Sequence, residues 1–240
     1  MAQMTFKRYE IKYMLTRSQR DALLKAMEGH LALDQYGHHT IRNIYFDTDS
    51  WLLVRRSIEK PLYKEKLRMR SYQRAGEDST VFVELKKKYD GVVYKRRLAL
   101  PHREAMRALT AGKPLPDCGQ IGREIEAFRA FYGPTLQPAM LLTYEREAFF
   151  PVDGVDFRLT LDDNIRWRTV SIDLGANVWG STILTPDQVL MELKTPGGLP
   201  LWMSHFLNEN GIRRVSFSKY GTAYQQLLTQ DATMGGLFCA

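Results

Sequence analysis

The feature that most constrains this chain is the run Lys64-Glu65-Lys66-Leu67-Arg68-Met69-Arg70. In an extended strand residues two apart share a face, so Lys64, Lys66, Arg68, Arg70 and Tyr72 fall on one side and Leu67 and Met69 on the other. The partition recurs along the chain. Val81, Val83 and Leu85 oppose Phe82, Glu84, Lys86 and Lys88. Lys95 shares a face with Arg97, and Tyr144 with Arg146; Arg158 opposes Phe157, Leu159 and Leu161. Arg166 and Arg168 flank Trp167, Glu192 and Lys194 alternate with Met191 and Leu193, and Arg8, Glu10 and Lys12 open the series.

These segments sit in an α+β order. A strand over 6–14 precedes a helix that starts at the capping box of Thr16 and Gln19 and ends at Gly29. A strand over 41–47 leads to a short helix capped by Asp49 or Ser50, running through Ile58 and closed by Pro61. Strands follow at 63–72, 80–88 and 91–100, the last two joined by a tight turn at Asp90-Gly91. Helices from Pro101 toward Ala111 and over 120–132 interrupt the sheet. Strands resume at 139–150, 155–162, 165–172 and 188–195, with turns at Asp153-Gly154 and Asp162-Asp163-Asn164. Helices over Leu199–Asn210 and from Ser216 or Ser218 to about Leu228 end the chain, and the last eight or so residues are expected to be mobile. No repeat or linker divides it, so one domain over residues 1–240 is expected, with an ordered core of about 5–228.

A solvated sheet face mixes signs, because like charges repel across strands. Here Lys and Arg dominate nearly every polar face, although the whole chain carries only 34 of them against 27 Asp and Glu, a net charge of +7. The expected solution is a closed antiparallel β-barrel of about eight strands, helices packed outside, cations lining a tunnel. Unpaired cations cannot be dried without large cost, so the tunnel must hold water and a polyanion. Arg and Lys suit phosphate oxygens, and a triphosphate or polyphosphate fits. Nucleic acid is not expected, since no base-reading or stacking motif appears. No apolar run suggests a transmembrane segment or signal peptide. The two cysteines, Cys118 and Cys239, make neither a metal spacing nor a disulfide framework, so a cytoplasmic location is expected.

Glu192 is the best candidate ligand for Mg²⁺ or Mn²⁺, hard ions that take one or two carboxylates and complete their shell with phosphate and water. Glu10 and Glu84 either assist or pair with neighbouring cations, Glu10 with Lys12 or Arg8 and Glu84 with Lys86. Ser216-Phe217-Ser218-Lys219-Tyr220 precedes a helix and is either a phosphate clamp or an ordinary N-cap. The five histidines show no ligand spacing, and no P-loop or nucleophile elbow is present.

Taken in order, Arg8-Tyr9-Glu10-Ile11-Lys12-Tyr13, Tyr45-Phe46-Asp47-Thr48, Leu67-Arg68-Met69-Arg70, Val83-Glu84-Leu85-Lys86, Tyr144-Glu145-Arg146, Phe157-Arg158-Leu159-Thr160, Met191-Glu192-Leu193-Lys194 and Phe217-Ser218-Lys219-Tyr220 resemble the polyphosphate polymerase domain of the vacuolar transporter chaperone (VTC) proteins, within the CYTH-like triphosphate tunnel metalloenzymes. The resemblance spans roughly residues 5–228. It implies an ATP-dependent phosphotransferase that moves the terminal phosphate of ATP onto growing polyphosphate with Mn²⁺ or Mg²⁺. It implies that Lys12, Arg68, Arg70, Lys86, Lys95, Arg146 and Arg158 bind phosphates, with Lys66 beside them. Glu192 would hold the metal; Lys194, Ser218 and Lys219 would complete the site, and Tyr144 would lie near the nucleotide. Arg96 replaces Lys95 if the register slips by one. Of these, Arg68, Arg70, Lys86, Arg146, Arg158, Glu192 and Lys219 would act in catalysis. The superfamily often opens with Glu-x-Glu-x-Lys, whereas Arg8 stands at the first position here, which favours the polymerase branch over a two-metal hydrolase. The rivals are a tripolyphosphatase or nucleoside triphosphatase of the same fold and a non-catalytic polyphosphate or inositol-phosphate sensor. A membrane partner and the oligomeric state stay open.

Overall fold

The computed structural model describes residues 9–235 apart from 91, 117, 118 and 155. Its first half holds β1 (Tyr9–Thr16), α1 (Arg17–Ala26), β2 (Leu31–Leu33), β3 (His39–Asp47), α2 (Leu52–Glu59), β4 (Tyr63–Ser71), β5 (Thr80–Tyr89) and β6 (Val92–Pro101). There follow α3 (His102–Thr110), α4 (Gly119–Tyr132), β7 (Gln137–Pro151), β8 (Arg158–Arg168), β9 (Ser181–Thr182), β10 (Gln188–Thr195), α5 (Leu201–Glu209), β11 (Arg214–Val215) and α6 (Lys219–Gly235). None of the described helices is long and apolar enough to cross a membrane.

The chain divides into two compact units. The first is Met1–Thr40, Tyr144–Ile165 and Leu184–Phe217. In it β1 pairs antiparallel with β10 and β10 with β8, placing Glu192 between Lys12 and Thr160. The opposite faces carry Tyr13, Leu15, Leu159, Leu161, Val189, Met191 and Leu193, which pack with Leu23 of α1 and Met203, Phe206 and Leu207 of α5.

The second unit is Ile41–Thr143, Arg166–Ile183 and Ser218–Ala240. Here β3, β4, β5 and β6 pair antiparallel in sequence order. Leu67, Met69, Val81, Val83 and Leu85 are fully buried, each worth about 1.5–3 kcal/mol, against α3 (Ala105, Ala108, Leu109) and α4 (Ile125, Phe128). The helices thus cover the apolar strand faces, as the alternation requires.

Two expectations about the sheet are corrected. Among the described residues it has 11 strands rather than about eight, because β2, β9 and β11 are only 3, 2 and 2 residues long, too short to show a period. Its hydrogen-bonded order, β11-β1-β10-β8-β7-β3-β4-β5-β6, does not return on itself among the described residues, so the sheet is open, not a closed barrel. Alternation reveals which way a side chain points but carries no information on edge pairing.

Local chemistry accounts for the other differences. The capping box of Thr16 and Gln19 is present, but the helix ends at Ala26 before the left-handed Gly29 (φ 77°). Asp162-Asp163-Asn164 is not a turn: β8 runs through it with Asn164 at φ 44°. Asp162 is paired with Arg146 and Asp163 with Arg17, so tertiary ion pairs override turn propensity. Neither Asp49 nor Ser50 caps α2. The buried Asp47 carboxylate accepts the backbone N–H of Thr48, Leu53 and Val54 at 2.8–2.9 Å, while Thr48 Oγ1 accepts that of Leu52 at 3.0 Å. Helix α6 continues past 228 to Gly235, and the terminal residues beyond it, like Arg8, Gly91 and Cys118, lie outside the described residues.

Candidate functional site

In the first unit Glu192 projects from mid-strand β10 on the polar face. Its Oε1 lies 3.2 Å from Lys12 Nζ and its Oε2 3.3 Å from Arg146 Nη2. Lys12 also lies 3.3 Å from Glu10 Oε1 and donates to the Phe217 carbonyl at 3.0 Å. Arg146 holds Asp162 through two parallel bonds of 2.5 and 2.6 Å, the bidentate geometry that fixes a guanidinium in one plane. Burial alone would lower the pKa of Arg146, but Asp162, Tyr144 and Glu192 raise it well above the ordinary arginine value. Arg146 is therefore a fixed cation, with its guanidinium carbon 5.1 Å from the Tyr144 ring centroid. Arg158 stands opposite Lys194 in register and lies over Phe150, on the exposed margin of this face.

In the second unit the centre is Glu84, 1% exposed. Its Oε1 meets Lys95 Nζ at 2.7 Å and Arg97 Nη2 at 2.5 Å; its Oε2 meets Arg68 Nη2 at 2.7 Å, with Arg70 Nε at 4.0 Å. Burial would raise its carboxyl, but Arg68, Arg70 and Lys95 outweigh it and hold Glu84 well below the usual carboxylate range. Burial lowers the Lys95 ammonium to about 8 against the opposing pull of Glu84. The register question is answered by contacts: Lys95 meets Glu84, whereas Arg96 turns to Glu124 of α4. Glu84 is thus an ion-pair hub, and the cations it accepts from come not from the expected Lys86 but from the two neighbouring strands, Arg68 and Arg70 on β4 and Lys95 and Arg97 on β6.

Residues at the start of α6 join this polar face. Lys66 Nζ donates to Ser218 Oγ at 3.3 Å and lies 5.8 Å from the Tyr220 ring. Tyr220 stacks on Tyr45 with centroids 4.3 Å apart and donates to Asp47 Oδ2 at 2.8 Å. Arg68 Nη1 donates to the Tyr45 hydroxyl at 3.1 Å. Burial pushes Tyr220 up, and Asp47 pushes it further. For Tyr45, burial is outweighed by Arg68, Arg70 and Lys219, leaving its phenol below the ordinary value. Lys219 is itself buried, at 8% exposure.

Among the described residues no group of three or more His, Cys, Asp or Glu could hold a metal ion. A site for Mg²⁺ or Mn²⁺ does not need one, since these ions are held by one or two carboxylates plus substrate phosphates. Glu192 supplies the carboxylate. Directly opposite it in register, Thr160 carries a buried Oγ1 with no hydrogen-bond partner among the described residues, an orphaned oxygen of the kind such an ion accepts. These residues fit a hard divalent cation. Because Lys12 and Arg146 already occupy both Glu192 oxygens, the ion is favoured only alongside the negative charge of phosphates.

The structure brings Lys12, Arg146 and Glu192 together in one unit, with Tyr144, Arg158 and Lys194 beside them. In the other it gathers Arg68, Arg70 and Lys95 around Glu84, with Lys86 between Lys66 and Lys95 in register and Ser218 and Lys219 at the start of α6. Arg166 and Arg168 do not extend the pattern: Arg168 is buried and donates to the carbonyls of Ser171, Asn177 and Trp179. Sequence reasoning missed Thr160, Asp162, Asp47, Tyr220 and Arg97 as site residues. Strand parity with Arg158 would have placed Thr160 and Asp162 on the right face; nothing local marks the Asp47–Tyr220 contact, 173 residues apart.

The VTC domain family matches residues 7–228, bearing out the resemblance read from the motifs. None of the curated proteins compared matches. Among solved structures, a candidate adenylate cyclase from Bacillus halodurans superposes with a TM-score of 0.57 at 16% identity, over 90% of this chain and 96% of that one. One from Vibrio parahaemolyticus gives 0.51 at 13% identity, over 92% and 99%. A candidate adenylyl cyclase from Hippeastrum, which has a dominant triphosphatase activity, gives 0.50 at 17% identity, over 90% and 95%. These likenesses concern the fold alone.

Proposed function

The chain belongs to the VTC domain family, and on that premise we propose that it is an ATP-dependent polyphosphate polymerase. In this reading residues 1–240 form one catalytic domain whose partners are ATP and inorganic polyphosphate. The observation that carries the proposal is the setting of Glu192, a buried carboxylate between Lys12 and Arg146 that faces the Thr160 hydroxyl, which has no hydrogen-bond partner among the described residues.

Each residue has a task that follows from its chemistry. Arg146, held in plane by Asp162, and Lys12 present fixed positive charge to phosphate oxygens, as would Arg158 and Lys194 at the margin. Arg68, Arg70, Lys95, Lys86 and Lys66 offer the same to further phosphates, with Ser218 and Lys219 as added donors. Glu192 and Thr160 would hold Mn²⁺ or Mg²⁺, whose contribution is to neutralise phosphate oxygens in the transition state. In the reaction a terminal polyphosphate oxygen forms a bond to the γ-phosphorus of ATP, the β–γ bridging bond breaks, and ADP leaves with its electron pair. Such transfer asks for positioning and charge stabilisation, not for a protein nucleophile. The acceptor oxygen is already anionic, so no strong base is required.

A second reading is favoured by the Hippeastrum neighbour: a triphosphatase, with water as acceptor. Incubating purified protein with ATP and Mn²⁺ and separating products on a gel distinguishes the two. A ladder of long polyphosphate supports the polymerase; orthophosphate alone supports the triphosphatase.

A further inference from the structure

Across β3 and β4, Asn43 stands opposite Arg70 and Tyr45 opposite Arg68, so the four side chains share one polar face. The two arginines are held differently. Arg68 sets Nε at 2.8 Å and Nη2 at 2.7 Å on Glu84 Oε2, with Nη1 on the Tyr45 hydroxyl at 3.1 Å. Arg70 donates Nε to Asn43 Oδ1 at 2.9 Å and stands 4.0 Å from Glu84. Asn43 is fully buried, and its Nδ2 donates to the Leu142 carbonyl of β7 at 3.1 Å. These contacts settle which way the amide points. A carbonyl only accepts and a guanidinium only donates, so the NH2 group must face Leu142 and the oxygen must face Arg70. With β3 lying between β7 and β4, the side chain bridges three strands with both ends engaged. A carboxylate at this place would give Arg70 the same hydrogen bond but offset its charge, and would set an acceptor against the Leu142 carbonyl. The amide supplies direction alone. Glu84, with one negative charge, meets Arg68, Lys95 and Arg97 at 2.5–2.7 Å and Arg70 only at 4.0 Å.

We propose that Asn43 is a positioning residue for Arg70, a buried neutral clamp that aims the guanidinium at a phosphate without offsetting its charge. It rests on the reading that Arg70 binds phosphates, and places behind Arg70 a side chain that acts only through it. A guanidinium binds phosphate best when its donor plane is fixed beforehand, and the Nε bond fixes that plane from the side away from its two terminal nitrogens.

Calorimetric tripolyphosphate affinity of the full chain, with urea unfolding measured beside it, tests the clamp through a double-mutant cycle. Asn43→Leu removes the hydrogen bond at similar volume, and binding is expected to weaken about tenfold. In an Arg70→Met background the same change is expected to cost no further affinity, because its effect passes through Arg70. The same fold-loss in both backgrounds, as a merely structural role would give, overturns the clamp, and so does unchanged affinity in Asn43→Leu. If Asn43→Leu does not fold, Asn43→Asp decides: it keeps the shape and the acceptor oxygen but adds charge, and about tenfold weaker binding is expected. Wild-type affinity in Asn43→Asp overturns the clamp. Arg70→Met that binds as tightly as wild type, or wild-type protein that binds no tripolyphosphate, overturns the phosphate-binding reading of Arg70 and the clamp together.

Discussion

Tyr220 donates its hydroxyl to Asp47 at 2.8 Å, and so ties the first turn of α6 to the carboxylate that also caps α2. The contact fixes where Ser218 and Lys219 stand on the polar face of the second unit. Tyr220→Phe keeps the stack on Tyr45 and removes only the hydroxyl. It is expected to cost about 1–2 kcal/mol in urea unfolding. Asp47→Ala, which also frees three backbone N–H groups, costs more.

Glu192→Gln keeps the shape of the side chain and removes its charge. ATP turnover with Mn²⁺ is expected to fall by about 100-fold or more, equivalent to several kcal/mol of charge stabilisation, while the circular dichroism spectrum is unchanged. Wild-type turnover in this variant removes Glu192 from the mechanism.

Glu84→Gln leaves Arg68, Lys95 and Arg97 without their shared counter-charge. With Lys95 and Arg97 partly open to solvent, the cost is about 2–3 kcal/mol, read as a lower thermal midpoint. The depressed carboxyl of Glu84 contributes stability that is present above the unfolded carboxyl pKa of about 4.3 and is lost as pH falls through the folded value. The variant is therefore expected to lose less stability on acidification than the wild type.

Lys95 titrates near 8 in the folded protein. Its protonated form binds anions, so tripolyphosphate affinity is expected to fall as pH rises through about 8. Lys95→Arg, which stays charged, flattens that limb relative to wild type. Identical pH profiles for the two proteins contradict the role given to Lys95.

Much of this site was legible because strand parity is a local property. Period-two alternation placed Arg68, Arg70, Glu84, Lys86, Lys95, Arg146 and Glu192 on polar faces, and apolar parity placed Leu67, Met69, Val83 and Leu85 under α3 and α4. What parity could not show depends on contacts remote in sequence. Edge pairing decided that the sheet is open, and the pairing of Asp162 with Arg146 turned an expected turn into the middle of β8. Asp47 ended the expected strand and the cap was expected at Asp49 or Ser50, because two of the four groups that donate to Asp47, Leu53 and Val54, lie inside α2 and a third, Tyr220, lies 173 residues away.

The central claim is that these strand-borne cations take up chained phosphates and that a divalent ion joins them at Glu192. Calorimetric titration of tripolyphosphate with and without Mn²⁺ tests it most directly. The account predicts binding without metal, tighter binding with Mn²⁺, and loss of only the metal-dependent gain in Glu192→Gln. Absence of tripolyphosphate binding in both conditions, or a metal-dependent gain that survives in Glu192→Gln, contradicts it.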